Sequence, residues 1–265
     1  MADQESTGAT MLPAQRRDWI RAEIERAGGA RITQLADQLG VSEMTVRRDL
    51  EELASRGLIK KVYGGATAPA RSTSDEPGFE VKSHRELAAK DQIGAVAATL
   101  IQPRTTVAVS AGTTTYAAAL HLARIPGLTV VTNSVRVADY LHAHGDRSQT
   151  VLLTGGVRTP SDALVGPVAD QAIRSLNFDL AFVGCHGISI SAGLSTPNLA
   201  EAETNRALIA AARRVVAVAD HSKWGLAGLA TFAPLSAVDT WVTDGGLPEV
   251  ARAEATEHIR HLLIA

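Results

Sequence analysis

The chain has 265 residues, 26 Lys and Arg against 28 Asp and Glu, and a formal net charge of −2. Hydrophobic residues make up 45% and aromatics 4%, which supplies two domains whose cores rest on Val, Leu, Ile and Ala. No apolar run approaches the roughly 20 residues needed to span a bilayer, and a single cysteine, Cys185, excludes an intrachain disulfide and a cysteine zinc cluster. The opening Met-Ala-Asp-Gln-Glu-Ser-Thr-Gly is polar and acidic, unlike a signal peptide, so a cytoplasmic protein is expected.

The charge is uneven along the chain. Residues 1–71 carry 11 Lys and Arg with 10 Asp and Glu, and residues 72–265 carry 15 and 18. Without its first 15 residues the N-terminal part is net +3. That mild basicity suits a small module used twice on a phosphate-rich partner, because phosphate contacts supply much of such affinity.

Residues 1–13 are small and polar and are expected to be disordered. A first helix is expected at 14–27, with Trp19, Ile20 and Ile24 inward and Gly28-Gly29 ending it. Ile32-Thr-Gln-Leu-Ala-Asp-Gln-Leu39 predicts a second, short helix with Leu35, Ala36 and Leu39 inward. Gly40-Val41-Ser42 then forms a tight turn, where glycine supplies a positive φ. Ser42 is a good N-cap for a third helix, since its hydroxyl accepts from an unpaired N–H one turn on. In that helix Val46, Leu50 and Leu53 recur at helical spacing. Met44, Arg48 and Glu51 point the other way, with Thr45 and Arg47 on the flanks.

Helix, three-residue turn and helix make a helix-turn-helix, and a short helix with Arg near its N-terminal front fits the DNA major groove. Residues 57–66 alternate and end at paired glycines, which predicts a strand and hairpin tip, or wing, carrying Lys60, Lys61 and Tyr63. Candidate contacts to double-stranded DNA are therefore Ser42, Met44, Thr45, Arg47, Arg48, Lys60, Lys61 and Tyr63. A plain helical hairpin with solvated arginines is the competing reading; turn, cap, core spacing, Arg pair and wing together favour DNA. The domain boundaries follow as 14–66 for this module, 67–80 for a linker rich in Pro, Ser and Thr, and 81–265 for the rest.

After the linker the grammar changes. A long helix is expected at 84–101. Short apolar runs of strand character follow at 106–110, 128–132, 150–154, 180–184, 215–219 and 240–243. Helical stretches intervene at 114–124, 134–144, 165–176, 198–212 and 248–263. Strands alternating with helices predict a doubly wound, mostly parallel α/β sheet with helices on both faces.

In such a sheet ligands bind at the carboxyl ends of the strands. Here those ends carry Ser110-Ala-Gly-Thr-Thr-Thr115, Thr132-Asn-Ser134, Thr154-Gly-Gly156 with Arg158, Gly184-Cys-His-Gly187, Asp220-His-Ser-Lys-Trp224 and Thr243-Asp-Gly-Gly246. Hydroxyls, glycines and N–H groups at a helix N-terminus form an anion cradle. Candidate ligands of a small anionic effector, best a phosphorylated polyol, are Ser110, Gly112, Thr113, Thr114, Asn133, Gly155, Gly156, Arg158, Gly184, Glu203, Asp220 and Lys223. Each alone also fits a helix cap, a surface turn or a solvated loop; their placement at successive strand ends joins them. Cys185-His186 invites a redox or metal reading, but with no second thiol a small packed thiol is expected. No cofactor and no metal are expected.

These motifs resemble those of DeoR-family transcriptional regulators over nearly the whole chain. The N-terminal part of the resemblance is Val41-Ser-Glu-Met-Thr-Val-Arg-Arg-Asp-Leu50 and Val62-Tyr-Gly-Gly-Ala66. The C-terminal part is Gly112-Thr-Thr, Thr132-Asn-Ser, Thr154-Gly-Gly, Phe182-Val-Gly, Ala219-Asp-His-Ser-Lys-Trp-Gly225 and Thr243-Asp244. The resemblance implies a winged helix-turn-helix joined to a sensor domain similar to ribose-5-phosphate isomerase. It also implies a repressor of carbohydrate metabolism that a phosphorylated sugar intermediate releases. Two positions depart from the family's pattern: Ser110 stands where Asp is usual, and Asn205 where Lys is common. Both should change what the pocket recognises.

Two functions compete. One is an effector-gated DNA-binding repressor; the other is a phosphosugar isomerase-like enzyme using Glu203, Asp220 or Lys223 as acid and base. Fold likeness alone confers no activity, and the enzyme leaves the helix-turn-helix without a use. The repressor is favoured, as a homodimer or homotetramer joined through its sensor domain, because one reading helix and one wing offer few contacts.

Overall fold

Pro13, whose ring presets a helical φ at a first-turn position, opens α1 (Pro13–Ala27), so the helix starts inside the stretch expected to be disordered. The computed structural model describes residues 11–27, 29–56, 58–67, 78–83 and 85–265. The expected disorder of residues 1–10 and most of the expected linker, 68–77, lie outside the described residues. Two compact units divide the chain, Met1–Ser72 and Thr73–Ala265.

In the first unit α1 leads into β1 (Gly29–Arg31), α2 (Ile32–Leu39), α3 (Glu43–Ser55), β2 (Lys60–Val62) and β3 (Gly65–Thr67). Gly40 ends α2 in the left-handed region at φ 63°, as the turn requires. Ser42 caps α3, accepting from the Thr45 N–H at 3.2 Å. Ile20 and Ile24 of α1, Leu35 and Leu39 of α2, and Val46, Leu50 and Leu53 of α3 form one buried core. The three strands pair antiparallel in the order β1-β3-β2. A Cβ on Gly65 would lie 2.3 Å from the Ala30 carbonyl oxygen, so only glycine lets β3 approach β1 this closely.

The second unit begins with α4 (Phe79–Ser83) and α5 (Leu87–Ala98), then β4 (Thr106–Val109), α6 (Thr113–Leu122), β5 (Thr129–Thr132) and α7 (Val135–His144). It continues with β6 (Thr150–Leu153), β7 (Val157–Arg158), β8 (Leu164–Val165), α8 (Pro167–Arg174), β9 (Leu180–Val183), β10 (Gly187–Ser189) and β11 (Gly193–Thr196). Then come α9 (Leu199–Ala210), β12 (Val215–Val218), β13 (Ala230–Ala233), β14 (Thr240–Thr243), α10 (Glu249–Thr256) and β15 (His261–Ile264).

Seven strands form one parallel sheet in the order β15-β14-β12-β9-β4-β5-β6. Because successive side chains on a strand face opposite ways, the sheet feeds two cores. Val107, Val109, Leu180, Phe182, Val216 and Val218 pack with α5, α6 and α7. Ala108, Ala181, Val183, Ala217 and Trp241 pack with α8, α9 and α10. A small antiparallel sheet, β10-β11-β13, joins the second core through Ile188, Leu194 and Phe232.

Two helices differ from expectation. Among its described residues the stretch 84–101 holds only α5; before it Glu86 takes a left-handed φ of 50°, and α4 lies on the N-terminal side. The stretch 248–263 ends its helix at Thr256. His261–Ile264 instead adds a seventh strand, registering Thr240 with His261 and Thr243 with Ile264. Its backbone is satisfied by β14, with the His261 N–H on Asp239 O at 3.1 Å and the Ala265 N–H on Thr243 O at 2.7 Å. That pairing outweighs the local helical period.

Candidate functional site

The solvent face of α3 presents Met44, Arg47, Arg48 and Glu51, all exposed, opposite the buried Val46, Leu50 and Leu53. Arg48 makes no hydrogen bond or ion pair among the described residues. Arg47 lies 3.5 Å from the Glu43 carboxylate one turn back. Thr45 is tied at 2.9 Å to the Ser42 hydroxyl, so both serve the cap. On the wing, Tyr63 at the tip is fully exposed, beside Gly64 at φ 75°. Lys60 is exposed, whereas the Lys61 ammonium sits 3.0 Å from Glu51 of α3. The wing is thereby pinned to the helix it flanks.

One acidic residue stands on the inner face of α3. Asp49 is 3% exposed and receives Arg16 of α1 at 2.6 Å, with Arg17 at 3.8 Å. Sequence reasoning missed this pair, because a charge between Val46 and Leu50 reads as a flank until α1 is folded against it.

In the second unit, the sheet's seven strands numbered in chain order run 3-2-1-4-5-6-7 across it. The order reverses between β4 and β9, and a crevice opens at the carboxyl ends of strands at such a point. The cleft found there is narrow, with a volume of about 60 Å³, and it opens to solvent. Its lining includes Ala111, Gly112, Thr113 and Thr114 after β4, Gly184, Cys185 and His186 after β9, and Lys223 after β12. Lys82, Ser161, Thr196, Pro197, Glu201 and Asn205 complete it. Gly112 caps α6 at φ 150°, where a Cβ would meet the Thr115 hydroxyl at 3.1 Å. The first N–H groups of α6 have no helical acceptor and carry the helix's partial positive charge. Lys223 has no hydrogen bond or ion pair for its ammonium among the described residues. An anion is the chemistry these groups fit.

Five of the expected effector ligands thus meet at the cleft: Gly112, Thr113, Thr114, Gly184 and Lys223. Seven do not line it, each for a visible reason. Ser110 is fully buried and accepts the Gly184 N–H at 3.0 Å, locking the end of β4 to that of β9. Asn133 accepts from the Ala111 N–H at 2.8 Å and donates to the Leu164 carbonyl at 3.1 Å, so it supports the loop from behind. Gly155 and Gly156 turn the chain at φ 73° and 118°, and a Cβ on Gly156 would lie 2.6 Å from Val165 O. Arg158 pairs with Asp162 at 2.7 Å. Glu203 projects to solvent and pairs with Arg206. Asp220, 1% exposed, uses Oδ1 to cap the turn that carries Lys223, accepting from Ser222 N–H at 3.1 Å. Its Oδ2 is buried with no hydrogen-bond partner among the described residues.

Glu201 and Asn205, four residues apart on α9, share the face that Glu203 leaves. Glu201 accepts from the Thr159 hydroxyl at 2.6 Å and the Thr196 hydroxyl at 3.3 Å. Two residues before Lys223, the His221 N–H donates to the Asp244 carboxylate at 2.7 Å, which also faces His221 Nδ1 at 2.7 Å. Burial opposes ionisation of Asp244, but bonds from His221 and Gly246 hold it below the usual carboxylate range. Burial pushes the Cys185 thiol up to about 12, against the pull of Lys223, so it is a neutral wall group. Among the described residues, no three His, Cys, Asp or Glu side chains converge on a metal site, and no helix is long and apolar enough to cross a membrane.

Comparison with known proteins agrees in both units. Residues 16–72 match the model of a DeoR-like helix-turn-helix domain, and residues 85–245 that of the DeoR C terminal sensor domain. The chain is 38% identical to the uncharacterized HTH-type transcriptional regulator YgbI of Escherichia coli K12, covering 96% of this chain and 99% of that one. It is 30% identical to the glycerol-3-phosphate regulon repressor of the same strain, covering 94% and 97%. Among solved structures, ribose 5-phosphate isomerase A from Neisseria gonorrhoeae matches 53% of this chain and 54% of its own, at 13% identity and a TM-score of 0.35. With its helix-turn-helix and its sensor domain both matched, the chain belongs to the DeoR family of DNA-binding transcriptional regulators.

Proposed function

We propose that this regulator represses a carbohydrate-metabolism operon and releases its operator when a phosphorylated sugar or polyol enters the sensor cleft. The observation that carries the reading is the α6 N-terminus, open at the sheet's switch point and faced by Lys223, in the same chain as a helix presenting Arg48, unpaired among the described residues. The name of one relative, the glycerol-3-phosphate regulon repressor, supports a phosphorylated polyol as the effector class. Arg48 reads base edges, with Met44, Thr45 and Arg47 beside it, while Lys60 and Tyr63 of the wing meet the backbone. The working form is a cytoplasmic homodimer or homotetramer, since two half-sites supply what one reading helix lacks.

The isomerase reading needs a paired acid and base within reach of the substrate. Of Glu203, Asp220 and Lys223, only Lys223 lines the cleft, which weighs against it. A gel-shift titration on the promoter beside the gene, with a panel of sugar and polyol phosphates, is the test. One phosphorylated compound releasing the protein from DNA is the expected result. Turnover of a sugar phosphate, or no response to any of the panel, would sink the proposal.

A further inference from the structure

One wall of the cleft precedes every strand of the sheet. It is α4, the first described element after the wing strand β3. Phe79 anchors this short helix: it is 7% exposed, edge-on to Tyr116 of α6 with ring centroids 5.9 Å apart, and 4.9 Å beneath the Arg136 guanidinium. Its N–H donates to the Pro160 carbonyl at 3.2 Å. Glu80 pairs with the same Arg136, which also holds Asp162 at 2.8 Å. The carbonyl of Lys82 accepts from the buried Lys90 ammonium at 2.7 Å, and Lys90 also donates to the Arg85 carbonyl. One turn on from Phe79, the Lys82 side chain enters the cleft, its Nζ 2.8 Å from the Ser161 hydroxyl.

Charge decides what Lys82 is for. Lys82 and Lys223 are the two lysines of the lining, with the open N–H groups of α6 at Gly112–Thr114, and Glu201 is its one carboxylate. Glu201 already accepts two threonine hydroxyls on the α9 wall. A charge-assisted bond to a phosphate oxygen is about twice as strong as a neutral one, so two lysines and the α6 N–H groups on one lining favour an anion.

Resting on the cleft reading above, we propose that Lys82 is a direct ligand of the effector's anionic group, and that α4 thereby registers whether the cleft is filled. An anion in the cleft gives the Lys82 ammonium a charged acceptor on the α6 side and tightens α4 onto α6. Because α4 follows the DNA-reading unit along the chain, the filled and empty states then differ at the start of the sensor. A ligand acts on DNA affinity only through such a difference.

The experiment uses the full chain, with inorganic phosphate as probe, read by calorimetric titration and by hydrogen exchange of the amides at 78–83. In wild type, phosphate binds and slows exchange over α4. Lys82→Met, which keeps the apolar stem, binds at least about tenfold more weakly and shows no slowing. Lys82→Arg stays within about threefold of wild type, because it keeps the charge. A purely structural Lys82 would lower thermal stability in Lys82→Met and leave its phosphate affinity at the wild-type value. If Thr113→Ala loses phosphate while Lys82→Met binds it like wild type, the cleft stands and the role of Lys82 falls. If wild type and Thr113→Ala behave identically, the cleft reading and this inference fall together.

Discussion

Arg16 on α1 and Asp49 on α3 lie 2.6 Å apart, and the Asp49 side chain is only 5% exposed. This pair sets how the reading helix stands against the rest of its unit, because Arg48, the residue before it, faces solvent when Asp49 faces α1. Removing the carboxylate strands a mostly buried guanidinium, and such a loss costs about 3 kcal/mol. Asp49→Ala should therefore lower the stability of the winged helix by about that amount in urea unfolding. Asp49→Asn, which still accepts, should cost less. Equal, near-zero effects would mean that the pair is only a surface contact.

Arg48 and the wing lysines should separate on DNA. Arg48→Ala is expected to cost about 1–3 kcal/mol on the operator and to leave binding to random DNA nearly unchanged. Lys60→Ala should weaken both and reduce the salt slope by roughly one. Lys61 is held by Glu51 at 3.0 Å, so Lys61→Ala should weaken DNA binding less than Lys60→Ala. Gel shifts on specific and scrambled duplexes at several salt concentrations decide the matter. Uniform losses for Arg48→Ala would assign it to phosphate instead.

The reading helix and six of the sheet's seven strands are legible in the sequence because local signals agree there. Ser42 caps, Gly40 turns, and the apolar period continues into a core. Where the outcome depends on partners distant in sequence, local reading goes astray. His261–Ile264 joins a helical pattern by period but becomes a strand because β14 offers a free edge. Glu203 is the glutamate expected among the effector ligands, yet the rotation of α9 gives Glu201 to the cleft. Lys82 carries no motif; only the packing of Phe79 on Tyr116 brings it to the site. Ser110 and Asn133 stand at strand ends, as effector ligands should, but their bonds to Gly184 and Ala111 turn them inward.

Lys90 should give the sensor a pH dependence, because its ammonium is buried. Burial lowers its ammonium from 10.5 to about 8; Asp220 and Glu86 oppose that, and Lys223 and Arg85 add to it. The folded chain therefore releases this proton before the unfolded chain does. Between about 8 and 10.5 the unfolded state holds more protons, so this group's contribution to stability rises with pH. The penalty for burying the charge is fully present below about 8. Compared with Lys90→Met, wild type should gain stability steadily from pH 7.5 to roughly 10 in urea titrations. A difference that is flat across that window would show that the Lys90 proton is unaffected by folding.

Ser110 and Thr113 should separate support from binding. Ser110 is fully buried and accepts the Gly184 N–H at 3.0 Å. Ser110→Ala leaves that donor unsatisfied between two strand ends, a loss of about 1–2 kcal/mol. Since Ser110 does not line the cleft, the variant's effector affinity should stay within about threefold of wild type. Thr113 is the reverse. It opens α6 on the cleft wall, and its hydroxyl makes no hydrogen bond among the described residues. Thr113→Ala should therefore change stability by no more than about 0.5 kcal/mol, while operator release demands at least about tenfold more effector. Thermal melts of the two variants, set beside gel-shift titrations with the active sugar or polyol phosphate, read both quantities. If Ser110→Ala loses the effector and keeps its stability, the serine reaches the ligand, and the end of β4 belongs to the binding surface rather than to its support.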